Sequence, residues 1–248
     1  MTGTSPIVLT NVSYTYAGNL SRSLTNISVA FERSVITTVI GTTGSGKSTL
    51  LQLMNGQLKP TSGSVKVFGE EIDYRNNLTM RRKIGYVVQG GALFPHLSVE
   101  RNICLPSRIE GRSKDIKRCD DLMAMMKLPL LFKDRYPHEL SGGEQQRVAI
   151  CRALYSDPQI LLMDESFGAL DSITRKELQL QLLELHKTGN TTIIFVTHDV
   201  REAFTLGDYI LILHEGKIEQ YGSRDEVARH PANAFVERLV TDDLSQLR

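Results

Sequence analysis

Residues 41–48 constrain this chain more than any other stretch. Gly41-Thr42-Thr43-Gly44-Ser45-Gly46-Lys47-Ser48 fits the pattern G-x-x-x-x-G-K-[ST]. An apolar, β-branched run at residues 35–40 precedes it, and Leu50, Leu51 and Met54 follow at helical spacing. Strand, glycine turn and helix in that order bring backbone N–H groups and a helix N-terminus around one point, where an anion is stabilised. Lys47 adds a cation for the β- and γ-phosphates of a nucleotide, and the Ser48 hydroxyl can ligate Mg²⁺. The pattern alone leaves kinases, GTPases and many ATPases open, so the remainder of the chain must decide.

Around this loop the texture alternates between strand and helix. Ile7–Tyr14 and Leu24–Phe31 alternate in polarity, and residues 65–68 and 84–88 are short strand-like runs. Between residues 90 and 154 helical patterns dominate, at 99–104, 114–126 and 143–154. Strand texture returns at 160–163, 192–196 and 209–213, with a helix at 172–187. Alternation of this kind predicts an α/β fold of the P-loop NTPase (RecA-like) type. It should have a mostly parallel sheet, an N-terminal antiparallel β part and an inserted helical subdomain. Residues 1–89 and 155–221 are the expected catalytic α/β core, 90–154 the helical subdomain and 222–248 a helical tail, all in one domain. Met123, Met125 and Met126 are expected to pack in the core.

Composition narrows the classes. The 248 residues suit one large α/β domain, and the formal net charge of +1 provides no basic excess for nucleic acid. No run approaches the ~20 apolar residues of a membrane span. The N-terminus has no secretory pattern. A cytosolic protein is expected, attached to the cytoplasmic face of the membrane only through partners. Cys104, Cys119 and Cys151 have no C-x-x-C spacing, which favours plain thiols in a reducing compartment.

The second half carries acids and polar groups at strand ends. Ile160-Leu161-Leu162-Met163 runs into Asp164 and Glu165. Asp164 is the expected acid for Mg²⁺, through metal-bound water, and Glu165 the base or positioner for the water that attacks a γ-phosphate. The β-branched run at 192–196 delivers His198 to the carboxyl edge of a sheet, where ligands of open α/β folds bind. Gln89 follows the 84–88 run and can offer a neutral oxygen to Mg²⁺ or to the water. Leu140-Ser141-Gly142-Gly143-Glu144-Gln145-Gln146-Arg147 opens a helix with a good N-cap and two glycines. Two glycines weaken a first turn, so local structure alone does not account for them.

Together these motifs resemble the nucleotide-binding subunit of ATP-binding-cassette (ABC) transporters, in that family's order, from about residue 7 to 221. Residues 41–49, ending at Thr49, resemble the Walker A loop. Gln89 resembles the Q-loop glutamine, residues 140–144 the signature, residues 160–164 Walker B and Glu165 the catalytic glutamate. Ala169-Leu170-Asp171 resembles the D-loop and His198 the switch histidine. Tyr16 is similar to the aromatic residue that stacks on adenine, with Tyr14 as the alternative. The resemblance implies ATP and Mg²⁺ as ligands. It also implies a head-to-tail dimer, with itself or a homologous subunit, in which Ser141, Gly142 and Gly143 of one subunit close over the γ-phosphate held by Lys47 of the other, with Glu144 as the next residue of that signature in trans. Asp171 would lie at that interface. Transmembrane permease subunits and a solute-binding protein are the further implied partners.

Two positions depart from the family's usual pattern. Glu144 stands where glutamine is more common, and Ser166 where proline often follows the catalytic glutamate. Phe167-Gly168-Ala169-Leu170-Asp171 resembles importers, whereas Glu144 is common among exporters. Phrases at residues 85–89, 93–96, 135–138 and 230–236 resemble the osmoprotectant (glycine betaine, choline, carnitine) importer branch. The chain is shorter than the betaine importers that carry C-terminal regulatory domains. A lipid or lipoprotein exporter ATPase, or a soluble ABC ATPase, is the alternative; a small-molecule kinase would need no signature.

Overall fold

The computed structural model describes residues 5–18 and 23–244, so the first and last four residues of the expected domain lie outside it. In chain order its strands and helices are β1 (Ile7–Tyr14), β2 (Leu24–Phe31), β3 (Ile36–Ile40), α1 (Lys47–Met54), β4 (Ser62–Val67), β5 (Glu70–Glu71), α2 (Leu78–Arg82) and β6 (Ile84–Val87). Then follow α3 (Val99–Ile103), α4 (Leu105–Ile109), α5 (Ile116–Met125), α6 (Gly142–Leu154), β7 (Ile160–Asp164) and α7 (Ser172–Thr188). The chain ends with β8 (Thr192–Val196), α8 (Val200–Leu206), β9 (Tyr209–His214), β10 (Lys217–Ser223), α9 (Arg224–Arg229) and α10 (Ala234–Leu244). It forms two compact units, Met1–Arg81 with Thr191–Arg248, and Arg82–Asn190.

In the first unit β1 is the hub of an antiparallel sheet in the order β2-β1-β4-β5. Ile7 pairs with Phe31 on one side and Val67 on the other. The period-2 pattern puts Ile7 and Leu9 into the core; an irregularity in register between Leu9 and Val12, with Asn11 at φ 50°, leaves Thr10 and Asn11 facing solvent and returns Val12 to the core. The second set of strands reads β10-β9-β3-β8. β3 runs parallel to β8 and β9, and β10 returns antiparallel to β9. β3 and β8 are buried at every position, as the continuous apolar runs of a strand covered on both faces require. The C-terminal helices pack on this layer: Val227 of α9, and Val236 and Val240 of α10, join Ile40, Ile210 and Ile212 in one cluster.

The second unit is organised by α6. Its buried Val148, Ala149, Ile150, Cys151 and Leu154 meet α3, α5, α7 and β6. β6 and β7 pair in parallel, Ile84 with Ile160 through Val87 with Met163. This unit therefore holds two strands and α7 besides the helices between residues 90 and 154. Met123 and Met126 are buried as expected, but Met125 is 41% exposed: it is the last residue of α5 and lies off that helix's buried face of Cys119, Leu122 and Met123.

Candidate nucleotide site

The phosphate loop belongs to the first unit. Lys47 is buried, and its Nζ donates to the carbonyls of Gly41 (2.9 Å) and Thr42 (3.1 Å), so the loop curls around its own lysine. Gly46, the N-cap of α1, has φ 103° and supplies no side-chain cap. A Cβ there would lie 2.6 Å from Leu24 Cδ2 and 2.7 Å from the Ser23 carbonyl. A side chain is thus excluded by both conformation and space. The turn between β9 and β10 braces the other side, with Gly216 N–H donating to the Ser45 carbonyl at 3.1 Å. Ser45 Oγ is buried and makes no hydrogen bond. A buried orphan hydroxyl beside a helix start with no side-chain cap fits an anionic group.

The remaining loop residues fall into place around this lysine. Gly41 and Thr49 are buried, whereas Thr42, Thr43, Gly44 and Ser48 face solvent. Tyr16 is 36% exposed, its ring edge-on to Tyr14 at 4.9 Å. Its hydroxyl meets Thr49 Oγ1 at 3.1 Å, so it is tied to the first turn of α1. His198 is exposed two residues beyond β8. The segment that carries it is fixed by the buried Thr197 hydroxyl, which donates to Glu202 at 2.6 Å, and by Asp199, which caps α8 through Glu202 N–H.

The second unit carries the acids. Asp164 ends β7 and is 8% exposed. Burial pushes the Tyr86 phenol up to about 12, and the Asp164 charge adds to this. Glu165 follows with φ 42°, a left-handed conformation that costs a non-glycine residue energy and is maintained only where the surroundings enforce it. Gln89 Nε2 donates to Glu165 Oε2 at 3.5 Å, bringing together two residues 76 positions apart. Ser141 caps α6 in a reciprocal box with Glu144, and Asp171 caps α7 by accepting from Ile173 and Thr174 N–H, each at 3.0 Å. Hydrogen bonds hold the Asp171 carboxyl below its ordinary range: first the Thr174 N–H, then the Thr174 side chain, then the Ile173 N–H and its own N–H.

Against this geometry the chain was compared with known proteins. Residues 24–168 match the sequence model of the family described as "ABC transporter". The chain belongs to the ABC transporter family. It is an ATP-binding cassette with that family's antiparallel sheet and mostly parallel, helix-covered strands. It is 41% identical over 238 residues to the choline transport ATP-binding protein OpuBA of Bacillus subtilis, covering 94% of this chain and 62% of that protein. This chain thus spans about three fifths of that relative's length. It is 41% identical over 220 residues to the glycine betaine uptake system ATP-binding protein YehX of Escherichia coli, covering 88% of this chain and 71% of that one. Among solved structures it resembles a dimeric ATP-binding cassette in a post-hydrolysis state bound to ADP and Pi, with 33% identity and a TM-score of 0.80, covering 88% of this chain and 98% of that chain. Among the described residues no helix of this cassette is long and apolar enough to cross a membrane.

Sequence reasoning passed over two arginines of α6. Arg147 is buried and donates to the Met126 carbonyl (3.1 Å), to Glu177 (2.8 Å) and to Gln181, tying α6 to α7. Arg152 donates to the carbonyls of Gly91 (2.8 Å) and Ala92 (3.0 Å), just beyond Gln89, and stands over the Phe94 ring at 5.9 Å. Phe94 itself is 43% exposed while Leu97 is buried. The signal was available in the sequence: two cations on a helix otherwise lined by Val148, Ala149, Ile150 and Cys151 must find partners if they turn inward.

Proposed function

We propose that this cassette binds and hydrolyses ATP with Mg²⁺ as the motor of a solute importer, working as a head-to-tail dimer. The observation that carries the reading is the contact of Gln89 with Glu165, at the end of a strand that has just delivered Asp164. Residues 41–49, with Lys47 central, hold the phosphates, and Tyr16 stacks on the base. Glu165 accepts a proton from the attacking water, with Gln89 and His198 orienting it. The donors Ser48, Gln89 and Asp164 are all oxygen atoms, the set a hard dication takes, and Mg²⁺ there would neutralise charge on the phosphates. Ser141, Gly142 and Gly143 complete the site of a partner copy, with Glu144 beside them as the fourth signature residue in trans, and Asp171 lies at that interface. The dimeric state of the similar solved cassette supports this arrangement.

In this reading residues 90–154 receive permease subunits, so the protein sits at the cytoplasmic face of the membrane. A solute-binding protein supplies a quaternary ammonium osmoprotectant. The similarity to OpuBA, a choline transport ATP-binding protein, and to YehX, of a glycine betaine uptake system, supports that cargo. The motor is tested with Glu165→Gln. It should bind Mg-ATP, turn over about 10²–10⁴-fold more slowly, and run as an ATP-dependent dimer. A variant that stays monomeric in excess Mg-ATP contradicts the dimer. The cargo is tested by uptake of labelled betaine, choline and carnitine with and without the gene at high and low osmolarity. Unchanged uptake of all three removes the osmoprotectant assignment.

A further inference from the structure

The cap of α6 is made by a charged group. Glu144 Oε2 accepts from Ser141 N–H at 2.7 Å and from the Ser141 hydroxyl at 2.8 Å, while Ser141 Oγ accepts from Glu144 N–H at 3.3 Å. A serine hydroxyl has one proton to give, and here the Glu144 carboxylate has it. The first turn of a helix also favours one negative charge over another only by proximity, and Glu144 already supplies one. Nearby cations do not take this charge up. Arg147 lines the same cavity of about 440 Å³ with Lys127, Ser141 and Glu144, but its guanidinium is committed to Glu177, Gln181 and the Met126 carbonyl. Among the described residues Glu144 is in no ion pair.

We propose that Glu144 is a built-in rival of the γ-phosphate: it holds the Ser141 proton and the α6 N-terminus with a negative charge that must yield before the signature closes on a partner copy's ATP, and so sets the ATP concentration at which the dimer forms. This rests on the head-to-tail reading above. A glutamine at this position keeps an oxygen for the Ser141 N–H and hydroxyl but carries no charge, so it caps the helix without repelling phosphate. The residue acts on closure and leaves the bond-breaking step to the other groups.

The test is ATP-driven dimerisation of the Glu165→Gln chain, followed by light scattering, with and without Glu144→Gln. The double variant should reach half-dimer at lower ATP. One exposed charge contact corresponds to roughly a threefold change, and two symmetric sites raise the dimer constant about tenfold. The gain should shrink as salt is raised, because it is electrostatic. In a Ser141→Ala background it should fall to the part due to charge alone. Melting of the nucleotide-free chain should stay or fall slightly as the charged cap is lost, opposite in sign to the gain in dimerisation, which separates the effect from helix capping. Glu144→Ala, which removes the charge and the cap together, should also lower the ATP requirement and keeps the test available if the glutamine variant folds poorly. If Glu165→Gln dimerises with ATP but neither Glu144 variant lowers the requirement, the inference fails alone. If Glu165→Gln binds no ATP or stays monomeric, the reading of the site fails and the inference with it.

Discussion

The two glycine-bearing helix starts of this cassette solve the same problem in opposite ways. α1 begins at Gly46, which offers no side-chain cap, beside a buried Ser45 hydroxyl with no partner. α6 begins at Ser141, whose box with Glu144 satisfies donor and acceptor within the chain. The first start is left open for an anion from outside. The second is already closed by an anion of its own and must exchange it. On the reading proposed above, the phosphate loop binds nucleotide in one copy alone, whereas the signature responds only when a competing charge arrives.

The sharpest way to break this contrast is at Lys47. Lys47→Ala removes the cation the loop curls around, and with it the positive charge proposed to face the phosphates. We expect ATP binding by titration calorimetry to disappear and turnover to fall by at least about 10²-fold, the scale of losing one preorganised electrostatic contact. Retained wild-type binding would mean that the open helix start suffices, or that the anion is held elsewhere.

A smaller effect separates the two glycines of α6. A Cβ on Gly143 would lie 2.5 Å from Thr174 Cγ2, whereas one on Gly142 has only Leu170 Cδ2, at 3.9 Å, within reach. Gly143→Ala must push α6 from α7 or turn Thr174, and should destabilise the nucleotide-free chain by about 1–3 kcal/mol. Gly142→Ala should leave melting nearly unchanged and show its effect only in ATP-driven dimerisation. Equal melting of the two would remove the packing role assigned to Gly143 and leave both glycines to the nucleotide.

Much of this was legible in the residues. β1, β2 and β8 were read with their observed ends because their side chains alternate or run apolar without interruption. The strand at β4 was read too late and too short, since Ser62, Gly63 and Ser64 lack the β-branched signal and are in the sheet through pairing with β1. α8 and β10 were not read, because α8 is short and Lys217–Ser223 is mixed in polarity, while α9 and α10 fall within the helical tail expected at 222–248. Among site residues, the loop and the acids were visible as local strings. The contacts of Arg147, Arg152 and Thr174 were not, because each depends on a neighbour more than 20 positions away.

The third helix start, at α7, lets the comparison be graded. Asp171 caps it through backbone N–H groups, as Glu144 does α6, but with its own carboxyl as the N-cap. Its carboxyl is held below the ordinary range, led by the Thr174 N–H. A carboxyl whose folded pKa lies below its unfolded one contributes stability above the unfolded pKa and loses it as pH falls through the folded value. Asp171→Ala should therefore melt below wild type at neutral pH, with the gap narrowing below about pH 4 and closing as the native carboxyl takes its proton. Asp171→Asn keeps a capping oxygen and should lose less at neutral pH, its gap to wild type narrowing over the same acid range. Melting curves of the three proteins from neutral to acid pH read this directly. A gap that persists unchanged into acid would assign the role of Asp171 to its shape and hydrogen bonds rather than to its charge.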